Sequence, residues 1–178
     1  MQYLDIGMRC LIGTVFLAAA ISKLAGRHAL PAFAGSISAL RVLPPALSGT
    51  AALAVVCAEG VVCLLLVVPV PTAGVVGFGC AALMLVVFAL VIARAVVAGA
   101  RTPCRCFGGS TVPLGVRHIV RNVALAGCAA AGTAAAQTTG SVHPAGSAVA
   151  AVAGLLAGGL VVALDSIVDL FQPVRSRT

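Results

Sequence analysis

Apolar residues run through this chain in long unbroken blocks, not in the alternating stripes of a half-buried soluble helix. Five blocks are long enough to cross a bilayer, which takes about 20 residues each. They lie at about Leu4–Leu24, Ala46–Val68, Ala73–Val97, Val116–Thr138 and Gly146–Phe171. Arg9 and Lys23 interrupt the first block, Glu59 the second, and Arg94 stands near the end of the third. The pattern changes between the first two. Leu30, Phe33, Ile37 and Leu40 step by three, four and three, which is one face of a helix. Pro31 suits a first turn and Pro44-Pro45 a stop. The spacing predicts an amphipathic helix over about Pro31–Val42, lying at the membrane interface. Val70-Pro71-Thr72 reads as a tight, uncharged turn.

Composition removes the competing fold classes. The 178 residues are 61% hydrophobic and 8% charged, with a mean hydropathy of +1.18. A soluble domain carries about 25% charged residues, so this chain lacks the polar surface to cover a water-soluble core. The expected fold is an all-α polytopic membrane bundle, with four core spans, a fifth at the C-terminus and the interfacial helix after the first. Cys10–Leu17 is a short apolar core of the kind found in signal peptides. Asp5 before it and the continuation to Leu24 favour a retained span instead. Gly154, Gly158 and Gly159 in the fifth block suit close helix approach.

The formal charge of +7 does not point to nucleic acid, because the basic residues sit between apolar blocks. Lys23, Arg27, Arg41, Arg94, Arg101, Arg105, Arg117, Arg121, Arg175 and Arg177 fall on one side of the predicted membrane, and Arg9 alone on the other. By the positive-inside rule the N-terminus is expected outside. The C-terminus and the connection between spans three and four are expected in the cytoplasm.

That connection carries the sharpest chemical feature, Cys104-Arg105-Cys106-Phe107-Gly108-Gly109. Two cysteines one residue apart can close a small, strained disulfide, and strained, accessible disulfides are the exchangeable ones. Arg101, Arg105 and Arg121 favour thiolate. Gly108 and Gly109 let a partner backbone approach. His118, Arg121 and Asn122 share one helix face just after the connection. A metal site built from the two thiols and His118 is the competing reading, although it is one ligand short of a tetrahedron. Unreactive loop thiols are another. Cys10, Cys63 and Cys80 fall in the same half of the membrane, where a second thiol pair or mere apolar packing accounts for them.

Glu59 is a carboxylate at membrane depth and needs a partner or a task. Helix rise puts it about 20 Å from the inner edge, and Arg9 about 8 Å from the outer edge. These depths nearly coincide across a core of about 30 Å, so Arg9 is the expected partner. Lys23 lies nearer the inner end and is expected to reach outward to the interface.

Arg9 with Lys23, Glu59, the Cys-x-Cys-Phe-Gly element at Cys104–Gly108, and Arg121-Asn122 opening the fourth span together resemble the MauE family of methylamine utilisation membrane proteins, within the wider DoxX-like group. The resemblance runs over about residues 1–140. It leaves residues 141–178 as an appended helix and basic tail, since DoxX-like proteins have a four-helix core. It implies thiol–disulfide exchange with a thioredoxin-like partner, in support of disulfide formation or maturation of another protein. Cys104 and Cys106 would be the exchanging pair, with Arg121 and Glu59 in the reaction. Arg9, Lys23, Phe107, Gly108, His118 and Asn122 would support them. No cofactor is required beyond the redox-active disulfide, and quinone binding is left open. The partners implied are the thioredoxin-like protein and the lipid bilayer, with self-association open and no nucleic acid. A soft-metal or small-molecule transporter and a non-catalytic assembly subunit are the alternatives.

Overall fold

The computed structural model describes residues 1–40, 44–98, 115–138, 140 and 143–171, with side chains as far as residue 164. The helices are α1 (Gln2–Leu24), α2 (Ala29–Ala39), α3 (Ser48–Val67), α4 (Pro71–Val97), α5 (Val116–Ala136) and α6 (Pro144–Phe171). A single 3-10 turn, Pro45–Leu47, leads into α3. The described residues contain no strand. Five helices are long and apolar enough to cross a membrane, α3 being counted with its leading turn.

Proline and glycine set the boundaries. Pro71 and Pro144 begin α4 and α6, where a missing N–H costs nothing and φ is already helical. After α1 the chain turns at Gly26, whose φ of 107° is open to glycine but strained for other residues. The short helix predicted between the first two spans is α2. It begins two residues earlier than expected, with Pro31 inside its first turn. It ends at Ala39 with Leu40 as its C-cap, short of the predicted Val42.

Successive spans run antiparallel, which gives the bundle two distinct ends. One holds the start of α1, the end of α3, the start of α4 and the end of α5; we term it the Arg9 end. The other holds the end of α1, the start of α3, the end of α4 and the start of α5; we term it the Lys23 end. The 99–114 connection leaves α4 and enters α5 at the Lys23 end.

Between the ends lies a dry core. Ile12, Val15 and Phe16 of α1 meet Val62 and Leu66 of α3, Phe78 and Leu85 of α4, and Leu125 of α5. Phe78 is fully buried against Gly132, where an added Cβ would lie 2.5 Å from the ring. That close seat explains why α4 packs most extensively on α5. The last helix, α6, rests chiefly on α1. Gly154 lies against the Gly7 carbonyl, and Gly158 against Thr14 and the Leu11 carbonyl. Gly159, also expected at a close approach, faces open space instead.

Candidate functional site

Four polar or charged side chains are buried among the described residues: Lys23, Glu59, His118 and Asn122. Three of them, Lys23, His118 and Asn122, belong to the turns of α1 and α5 nearest the Lys23 end. Glu59 stands in the middle of α3.

Lys23 Nζ donates to Glu59 Oε1 at 2.6 Å, with both side chains 2% exposed. It also donates to the Ala19 carbonyl at 3.2 Å. The Phe33 ring of α2 lies 5.1 Å from the ammonium, close enough for a cation–π contact. Phe33 is itself buried. The interfacial helix thus closes over a buried ion pair. The second carboxylate oxygen, Glu59 Oε2, is buried with no hydrogen-bond partner. A carboxylate held on one oxygen and open on the other can accept a proton or a hydrogen bond without losing its place.

This corrects the expected Arg9–Glu59 pair. A helical side chain leans toward the N-terminus of its own helix. Lys23, in the last turn of α1, therefore reaches back into the bundle instead of out to the interface. The depth comparison placed Cα atoms and left out the length of the lysine stem. Arg9 is satisfied elsewhere. Its Nε donates to both oxygens of Asp5 at 3.0 and 2.9 Å. Nη1 donates to the carbonyls of Leu66 and Val68 at 3.2 and 2.7 Å, and Nη2 to Val70 at 3.2 Å. Arg9 thus ties α1 to carbonyls of the corner where α3 ends and α4 begins. Asp5 was missed as its partner, although the four-residue spacing marks such pairs on a helix.

On α5, His118 and Asn122 turn inward one above the other, as their spacing predicts, and Asn122 Nδ2 donates to the His118 carbonyl at 2.8 Å. Asn122 Oδ1 is buried with no hydrogen-bond partner. Arg121, next to Asn122, is half-buried. The structure therefore brings Lys23 and Glu59 into contact, puts His118 and Asn122 on one inward face, and sends Arg9 to the opposite end. Cys104, Cys106, Phe107 and Gly108 lie outside the described residues, as does the small-ring disulfide expected there.

The other five cysteines are free. Cys57 and Cys80 are exposed on their helices, and Cys10, Cys63 and Cys128 are half-buried. Among the described residues no three His, Cys, Asp or Glu side chains gather as a metal site would require.

The family model described as methylamine utilisation protein MauE matches residues 1–135, which takes in α1 through most of α5 and stops short of α6. No curated protein and no solved structure matches the chain.

Proposed function

The chain belongs to the family of the methylamine utilisation protein MauE and is a multi-pass membrane protein; from that premise we propose that it exchanges disulfides with a thioredoxin-like partner through Cys104 and Cys106. In the exchange a partner thiolate attacks one sulfur of the Cys104–Cys106 disulfide and forms a mixed disulfide. The partner's second thiol resolves it, which leaves the partner oxidised and Cys104 and Cys106 as thiols. The electron pair moves from partner to chain, and the reverse direction uses the same bonds. Arg121 and Arg105 favour the departing thiolate. Glu59 relays a proton from the attacking partner thiol to the departing chain thiolate through its open oxygen, while Lys23 holds the other.

The observation that carries this reading is the buried polar set of Lys23, Glu59, His118 and Asn122. Three of its members lie at the end of the bundle from which the Cys-x-Cys connection leaves. A structural bundle gains little from burying these groups in hydrocarbon, where polar side chains mark reaction or transport paths. The Lys/Arg count supports a cytoplasmic Lys23 end. Maturation of another protein is the use this exchange would serve.

Replacing Cys106 with Ser tests the proposal. It leaves Cys104 to attack the oxidised partner, the reverse direction of the exchange, and the mixed disulfide that forms has no second chain thiol to resolve it. A covalent complex, released by reductant, is the expected product on non-reducing gels, and Cys104→Ser in the same background abolishes it. Failure to trap any partner with either single variant, together with wild-type maturation in the double variant, would show an assembly role instead. An impermeant thiol reagent on intact cells reads the sidedness. Labelling of Cys104 and Cys106 only after permeabilisation is the expected result.

A further inference from the structure

The Arg9 end carries two adjoining cavities that the exchange reaction does not use. One, of about 770 Å³, is a furrow between α1 and α3 lined by Cys10, Gly13, Leu17, Gly60, Cys63 and Leu64. Gly13 and Gly60 open it, since an added Cβ at either would meet nothing within 4 Å. Leu17 and Leu64 are exposed along its length, so the furrow faces bilayer hydrocarbon. The other cavity, of about 310 Å³, is polar at its rim, with Gln2, Asp5 and Thr138. The two share Ile6, Arg9, Leu66 and Val67. A chamber with a polar rim thus continues into an apolar channel.

We propose that this continuous site binds a neutral lipid with one long apolar tail and a compact, oxygen-bearing head. The head would sit between Gln2 and Thr138, and the tail along Gly13 and Gly60. Three observations select that chemistry. The furrow is lined by apolar side chains of α1 and α3 with Leu155 of α6 at its edge, so it takes a hydrocarbon tail. Arg9, the only cation on the lining, is turned to Asp5 and to three backbone carbonyls, so a phosphate would have no free cation to meet. Gln2 Oε1 is buried in the chamber with no hydrogen-bond partner. A primary amide offers both an acceptor and donors, so it suits a hydroxyl or a carbonyl head. The site is independent of Cys104 and Cys106, and its failure would leave the exchange proposal standing.

The test uses the full chain in phosphatidylcholine nanodiscs with a monoacylglycerol that carries a photoreactive group on its tail. After irradiation, adducts on α1 and α3 peptides are counted by mass spectrometry. Excess unlabelled monoolein or decylubiquinone then competes, and whichever displaces the probe identifies a glycerol or a ring head. Gly13→Leu with Gly60→Leu fills the furrow and should cut labelling at least tenfold. Gly79→Leu adds the same bulk to an exposed site on α4, also open around its Cβ, and should leave labelling unchanged. Gln2→Leu leaves the furrow intact and should lower labelling several-fold, which keeps the test decisive if the double variant folds poorly. Wild-type labelling in both the furrow-filled and Gln2 variants would overturn the proposal. Equal labelling of the same peptides by a phosphatidylglycerol probe would also overturn it.

Discussion

The two ends of this bundle handle a cation on α1 in opposite ways. At one end Arg9 takes its counter-charge from Asp5, one turn away on its own helix. It spends its remaining donors on carbonyls at the α3–α4 corner. At the other end Lys23 takes its counter-charge from Glu59, thirty-six positions along the chain. The Arg9 solution is local and partly wet, with its two partners 12% and 19% exposed. The Lys23 solution is long-range and dry. A local pair holds its geometry as soon as the helix forms. A long-range pair exists only when two helices have docked, so it reports on the tertiary structure and loses more when broken.

The largest effect should therefore come from Glu59→Leu. It strands the Lys23 ammonium in the bundle, and breaking a buried pair on one side costs about 3–5 kcal/mol. The unfolding midpoint in mixed micelles should fall accordingly. Lys23→Met in the same chain should recover most of the loss, because an apolar pair of similar volume is often as stable as the ions. A single variant no less stable than the double would remove the distinction between the two ends.

Arg9→Lys comes next. A lysine keeps the charge but not the planar fork that serves Asp5 and three carbonyls together. Loss of hydrogen bonds from a charged donor costs about 1.5–3 kcal/mol, read in the same micelles. Asp5→Asn should be the mildest, within the roughly 0.2–1 kcal/mol of an exposed pair. Salt sharpens the comparison. At about 1 M ionic strength the Debye length is about 3 Å, so the Asp5 substitution should lose most of its effect while the Glu59 substitution keeps its own. Equal screening at both ends would place water beside Lys23.

Much of the architecture was legible from runs of apolar residues alone. All five spans lie where hydropathy put them, shifted by a few residues at their ends. The short helix after the first was legible from the spacing of Leu30, Phe33, Ile37 and Leu40. What that stripe did not reveal was its task, the seating of Phe33 against the Lys23 ammonium. The inward face of α5 was also legible, because His118 and Asn122 are neighbours on one helix whatever surrounds it. The partner of Glu59 was not. Depth along a span is a Cα quantity, and a lysine stem can cross several ångströms of it in either direction.

Burial in hydrocarbon demands that every backbone group be bonded within a helix or a closed barrel, and apolar blocks of about 20 residues without alternation left this chain the helix. Helix number, length and order followed from that constraint, which acts on every residue separately. Pairing across helices did not, because it depends on which faces meet, and no single-residue property encodes that. Only the docked bundle turned Lys23 inward to Glu59, brought the glycines of α6 onto α1, and left the furrow between Gly13 and Gly60 open.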